Sequence, residues 1–324
     1  MQQIDKNKFF AITQTFDYVP FTQSEGWRAY SSSEESRFVF FVDNTEKSTI
    51  ACMGYVIRKF GLKMLQIAGE CLRNETEIDS KKIRVFYHEI SQTDFDIIEV
   101  NSSLKYSALY ETGIREAGYL RPVGLFSTPL TIEVNLQKKI EFDKSWRRNL
   151  RYSEQYNLDF KAINNPTKQD INDYYELNYE MVKRKNLSES FTANMLKNLL
   201  NDDKFCLFVA ENENKKRIAG LIVYIRNNFA NSILSVTSIE GREKSASYFL
   251  FEKTFRYCAE IGIKTYDCGR ICPSTHSKQS VFLFKNGVKG EKVQYCGEFA
   301  FYKRPIYRVL MYFIKKYLFK RVEV

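Results

Sequence analysis

The chain has 324 residues, enough for two domains of ordinary size. Hydrophobic content of 44% with 15% aromatics excludes a disordered or fibrous polymer and suits folded, sheet-rich domains with aromatic cores. Lys and Arg outnumber Asp and Glu by 49 to 39, and the formal charge of +10 favours anionic partners: phosphates, RNA or a membrane surface. No run approaches the roughly 20 apolar residues that a bilayer span needs. The opening MQQIDKNKFFAITQ lacks the apolar core of a signal peptide, so a cytoplasmic protein is expected. Seven thinly spread cysteines suit a reducing compartment. Cys268, Cys272 and His276 make a C-x3-C-x3-H cluster without a second ligand pair, and no metal is expected there.

In chain order, Ser24 is placed to cap a short helix through residue 30. The apolar run 37–42 and the run 49–57, joined by a polar turn, predict an antiparallel hairpin, and 62–68 a third strand. Ile83, Phe86, Tyr87 and Ile90 recur at helical spacing over 79–90. A buried strand is expected over 95–100, a helix over 103–117 closed by Gly118, and a strand over 131–136.

The second half repeats this order. Helices are expected over 145–156, 168–183 and 192–200, and strands over 204–210 and 217–225, joined by the polar turn ENENKK. A strand over 229–239, a helix over 247–260, and strands over 265–268 and 298–302 complete the unit. Two α+β units thus meet near 125–140. A hairpin followed by strand, helix and strand is the core order of the GNAT acetyltransferase fold, although other α+β folds share it. The segment 305–324 sets Tyr307, Leu310, Met311, Ile314, Tyr317 and Leu318 among five basic residues. Such a basic amphipathic helix suits either docking on the protein's own surface or contact with an anionic membrane.

Charged residues gather in KTYDCGRICPSTHSKQSVFLFKNGVKGE, 264–291. There a short strand ends in Asp267, Cys268, Gly269 and Arg270, and an apolar run brings Lys285 to a glycine-containing turn. Strand ends beside glycines often build sites for charged groups, although turns alone also use Asp and Gly.

Six segments in order resemble the FemABX-type peptidyltransferases and FemAB-like acyltransferases. They are QSEGW at 23–27, TPLTIEVNL at 128–136 followed by WRRNLRYSEQYNLDF at 146–160, Arg184 in MVKRKN, RIAGLIVYI at 217–225, YDCGR at 266–270 and FLFKNG at 282–287. The departures are Cys268 in place of the usual Phe and the run 286–290 in place of an aromatic-Gly pair. The resemblance implies tandem GNAT-like domains, with mixed sheets flanked by helices. The first would span 1–127, the second 128–304 with the active site, and 305–324 the terminal helix. It implies transfer of an acyl or aminoacyl group to an amine of a phosphate-bearing, peptidoglycan-type envelope precursor, with aminoacyl-tRNA as the favoured donor. No permanently bound cofactor is implied, and the protein would work in the cytoplasm or at the inner face of the membrane. Lys285 and Asp267 would be catalytic. Arg148, Arg151, Arg184, Arg270 and, from the first domain, Lys59 or its neighbour Lys63 would bind substrate, the two helix arginines as forks on a diphosphate.

Two other readings remain. One is an acyl-CoA-dependent N-acyltransferase acting on a sugar, lipid or small amine; the loop 239–246 holds only one glycine, a poor match to a pyrophosphate cradle. The other is a non-catalytic protein that binds RNA or a membrane surface.

Overall fold

The computed structural model describes residues 1–32, 34–59, 61–74, 79–124, 128–186, 191–273 and 280–318. They form two compact units. One holds Met1–Ser24, Ser32–Leu130 and the chain from Gln294 onward; the other holds Glu25–Ser31 and Thr131–Val293. This differs from a single cut at 127/128 because each unit takes in sequence from beyond that cut.

The first unit begins with β1 (Gln2–Ile4) and α1 (Lys6–Thr13), the latter capped by the Asp5 carboxylate; neither was anticipated. The short α2 (Glu25–Ser31) belongs to the second unit. Next, β2 (Phe38–Val42) and β3 (Ile50–Lys59) form the expected hairpin, with Phe40 opposite Met53, and β4 (Leu62–Ile67) extends it. The two-residue β5 (Cys71–Leu72) pairs with the start of β3. From there α3 (Ser80–Ser91) crosses to β6 (Ile97–Lys105), which runs parallel to β4. The helix expected from 103 begins later, as α4 (Ala108–Glu116). Ser102 and Leu104 still alternate inward as strand residues, and Ser107 is the hydroxyl that caps Tyr110.

Ile83, Phe86, Tyr87 and Ile90 of α3 meet Tyr110 and Ile114 of α4 over the sheet. Inside this cluster lies Glu70, fully buried, accepting hydrogen bonds from Ser102 (2.6 Å), Tyr87 (2.8 Å) and Tyr110 (3.2 Å). Burial pushes its pKa up against the pull of those three hydroxyls.

In the second unit, β7 (Leu130–Asn135) precedes α5 (Lys144–Ser153) and a 3-10 turn, Glu154–Tyr156. An unanticipated strand, β8 (Asp159–Ile163), follows. Then come α6 (Lys168–Lys185), α7 (Ala193–Leu200), β9 (Phe205–Glu211), β10 (Arg217–Arg226) and β11 (Phe229–Thr237). The five-residue α8 (Ile239–Glu243), α9 (Ala246–Glu260), β12 (Thr265–Asp267) and α10 (Ser280–Asn286) complete it. The strands lie in the order β7-β12-β11-β10-β9-β8, antiparallel except for the parallel pair β11 and β12. The Ala219-Gly220 pair in β10 has a packing cause: a Cβ at 220 would approach the Tyr174 ring of α6 to 2.7 Å. Gly26 of α2 likewise lets that helix press on α7, its N–H donating to Asp202 at 2.9 Å.

The chain then returns to the first unit. There β13 (Glu291–Tyr302) pairs antiparallel with β6, starting well before the expected residue 298, and α11 (Pro305–Phe313) continues into a π-turn, Ile314–Leu318. The rest of the expected terminal helix lies outside the described residues. None of the described helices is long and apolar enough to cross a membrane.

Glu70→Ala should destabilise the protein by about 2–4 kcal/mol, since it orphans three buried hydroxyls, while Glu70→Gln should cost much less. Because the folded-state pKa is raised, the proton's contribution is complete below the ordinary glutamate value and fades as pH rises through the folded one. Urea titrations of both variants at acid and neutral pH check this; equal losses for Ala and Gln would contradict it.

Candidate active site

The site grows from the way β11 and β12 part. They pair only over Phe229–Asn231 and Thr265–Asp267, after which β11 runs on to Thr237. Where they separate, β11 carries a bulge: Ile222 faces Leu234 and Val223 faces Ser232, so Ile233 drops out of register and its backbone leaves the ladder. On the other side of the cleft the chain leaves β12 through Asp267, Cys268, Gly269 and Arg270. Gly269 is required here. Its φ is +80°, and a Cβ would come within 3.0 Å of the Ser232 carbonyl and 3.1 Å of the Lys285 Nζ.

Lys285 therefore sits beside the bulge, half-buried, its Nζ donating to the Arg270 carbonyl at 3.0 Å. Burial lowers its pKa, with Cys268 and Asp267 acting in the opposite direction. Asp267 is buried and receives the Thr131 hydroxyl and the Gly269 N–H, the latter at 2.7 Å. Its carboxylate is held as an acceptor that pins the strand end. Burial also pushes the Cys268 thiol well up, so it is not poised as a nucleophile.

What holds Lys285 in place is Trp146, which sequence patterns did not single out. The stretch before Lys285 is the helix α10, and the indole of Trp146 packs beneath it against Phe142, Tyr248 and Phe284. Trp146 Nε1 donates to the Phe284 carbonyl at 3.1 Å, and Asp143 N–H donates to the Gly287 carbonyl at 2.8 Å. A Cβ at Gly287 would come within 2.8 Å of the indole, which accounts for a glycine two residues after the lysine. One of two tryptophans in the chain, on the apolar side of an otherwise basic helix, was the available signal.

Lys285, Asp267 and the Arg270 backbone thus come together. Arg184 lies at the far end of β11, where its Nη2 donates to the Thr237 carbonyl at 3.1 Å. Its Nε and Nη1 are buried without a hydrogen-bond acceptor, and Glu180 approaches Nη1 only to 3.8 Å. Lys185 beside it has its pKa lowered by burial and by the charges of Arg184 and Arg242. Such a knot of under-satisfied cations is an anion-receptive spot. Arg148 and Arg151 are exposed on α5, on one stripe with Lys144 and Arg147, rather than forming an enclosed clamp. Lys59 is exposed in the first unit, at the end of β3 opposite Leu62. Among the described residues no three His, Cys, Asp or Glu side chains gather as metal ligands, and His276 lies outside those residues.

The model of the FemAB family matches residues 155–316, half of the chain and most of this site. The chain belongs to the FemAB family. It is accordingly an acyl- or aminoacyltransferase of GNAT-like fold. Solved structures agree on the fold: FemX superposes with a TM-score of 0.75 at 11% identity, covering 96% of this chain and 100% of FemX. L-PGS from Bacillus licheniformis gives 0.66 at 15% identity, with 98% of each chain covered. A tandem GNAT protein from the clavulanic acid biosynthesis pathway gives 0.50 at 9% identity, with 83% of each covered. No curated protein matches the sequence.

Trp146→Leu should leave the second unit folded but loosen α10, costing about 3 kcal/mol in stability and a larger share of activity than of substrate affinity. Trp146→Phe, which keeps the ring packing and loses only the bond to Phe284, should fall between. Denaturation curves and steady-state kinetics on the pair check the order.

Proposed function

We propose that the chain moves an aminoacyl group from aminoacyl-tRNA to an amine on a phosphate-bearing cell-envelope precursor. The observation that carries this reading is the Lys285 amine, fixed beside the opening between β11 and β12 and short of water. In the reaction the acceptor nitrogen attacks the ester carbonyl carbon, the C–N bond forms, the ribose C–O bond breaks, and a proton passes from the nitrogen to the departing oxygen. Charge develops on the carbonyl oxygen on the way. Lys285 as an ammonium stabilises that charge and relays the proton, giving its own to the departing oxygen and taking up the one the nitrogen releases; its lowered pKa makes the proton easier to release. Asp267, tied to Thr131 and Gly269, acts by holding the strand end and the lysine's charge.

Arg184 supplies the anion contact, since its unsatisfied Nε and Nη1 suit a phosphate or carboxylate of the acceptor. The exposed stripe Lys144, Arg147, Arg148 and Arg151 suits a hydrated polyanion such as tRNA better than an enclosed diphosphate.

The loop 238–246 favours tRNA over acyl-CoA as donor. Its N–H groups are already engaged: Ile239 to Glu180, Gly241 to the Ser238 hydroxyl, and Arg242, Lys244 and Ser245 to backbone carbonyls of the α8 turn. Gly241 itself is pressed on Ile218, where a Cβ would lie 2.1 Å from the carbonyl oxygen. Few donors are left to cradle a pyrophosphate.

Purified protein with aminoacyl-tRNA and a nucleotide- or lipid-linked muropeptide should form a new amide, and acetyl-CoA should not substitute. Turnover with acetyl-CoA alone would overturn the donor assignment. Lys285→Met should reduce turnover by about 10²–10⁴-fold. Folding favours the neutral form of this amine, so its charge weakens the fold below its lowered pKa, and that penalty fades as pH rises toward the ordinary lysine value. Lys285→Met should therefore match or exceed the wild type in thermal stability at neutral pH. Arg184→Ala should raise the acceptor KM by about 10- to 100-fold. Arg148→Gln with Arg151→Gln should weaken tRNA binding and flatten its salt dependence by about one slope unit per lost phosphate contact.

A further inference from the structure

We propose that the outward face of α11 and its π-turn docks on an anionic membrane surface. The segment has two faces with different fates. Its inner face is committed to the first unit: Met311 and Ile314 are buried against Leu62, Met64 and Ile97. Lys315, 1% exposed, pairs with Glu99 at 3.2 Å and donates to the Gly124 carbonyl at 3.4 Å. That face alone meets the expectation of a terminal helix packed on its own protein.

The outer face has no such partner among the described residues. Ile306, Val309, Phe313 and Tyr317 follow at i, i+3, i+7 and i+11 and are 62%, 49%, 50% and 63% exposed. Phe313 and Tyr317 stack at 6.0 Å, extending one apolar ridge. Apolar ridges of this kind on a folded surface mark a contact site.

The chemistry of the rim selects the occupant. Residues 304–318 contain no Asp or Glu, while Arg304 and Arg308 are exposed and Lys316 is half-exposed. Of the two adjacent lysines, Lys315 is neutralised within the fold, and no carboxylate pairs with Lys316 among the described residues. Lys316 instead lies over the rings of Tyr312 and Tyr317, at 5.4 and 5.6 Å, and donates to the Tyr312 hydroxyl at 3.1 Å. Aromatic side chains next to cations, above an aliphatic ridge, match the boundary between phosphate headgroups and acyl chains. Over its described residues the helix is too short to span a bilayer, and the proposal places it in the surface plane. This inference stands independently of the reaction assigned to Lys285.

The test is sedimentation of the full chain with vesicles of phosphatidylcholine alone and of equal parts phosphatidylcholine and phosphatidylglycerol. The wild type should partition onto the anionic vesicles, more weakly as salt rises, and hardly at all onto the neutral ones. Ile306→Ser with Phe313→Ser should weaken partitioning by about tenfold or more. Arg308→Glu with Lys316→Glu, which leaves the apolar ridge intact, should abolish the anionic preference while the thermal unfolding midpoint stays unchanged. Absence of partitioning, or partitioning indifferent to both pairs, would overturn the proposal. So would a wild-type dimer in light scattering that the serine pair converts to monomer, because the face would then belong to a second copy of the chain.

Discussion

The indole of Trp146 joins two stretches nearly 140 residues apart in sequence, and the placement of Lys285 depends on that join. An isolated seven-residue α10 would be marginal in water, because nucleating so short a helix costs more than its few hydrogen bonds return. Packed on Trp146, with the Phe284 carbonyl accepting from the indole and Phe251 and Tyr248 closing around the Phe284 ring, the helix has a defined seat. A lysine has four rotatable bonds, and seating its backbone removes much of the uncertainty in where the amine ends. The remaining freedom is taken up by the Arg270 carbonyl and by the contact with Gly269.

The separation of β11 and β12 supplies the second half of the constraint. Parallel neighbours joined by a helical crossover are ordinarily covered and fully paired. Here pairing stops after three residues, and the bulge at Ile233 turns the β11 backbone at the same level. The first unit has the same order, with β4 and β6 parallel around α3. Its counterpart pairing extends over four residues, and its interior is closed by Glu70 and three hydroxyl donors. The same topology thus serves opposite ends: a satisfied polar core in one unit, and an amine with spare hydrogen-bonding capacity in the other.

Much of this was legible in the sequence. The hairpins, the periodic helices α3, α6 and α9, and the strand end at Asp267 announce themselves because their local patterns agree with their packing. What escaped is non-local. Nothing local in 291–297 distinguishes a strand completing the first unit from a loop of the second, and Glu25–Ser31 is drawn to the second unit by contacts with residues 198–205. β8 was missed because Asp159–Ile163 is partly exposed and pairs only with β9, leaving a weak alternation. The arginines of α5 illustrate another limit: sequence shows that they share a helix, while only packing shows that Trp146 and Ser153 take the buried side and leave Arg148 and Arg151 to solvent.

Charge placement follows one logic at several buried cations. Where a cation is structural, a carboxylate completes it, as Glu99 does for Lys315 and as Asp170 and Asp173 do for Arg217. Lys285 and Arg184 are completed less fully. The first has a carbonyl as its hydrogen-bond acceptor, and the second keeps two buried nitrogens without one. Both arrangements weaken the folded state, since partly buried cations lose hydration without full compensation. In the reaction proposed for this site, negative charge on a substrate, or on an oxygen during transfer, would complete at each position the interaction that the protein leaves open.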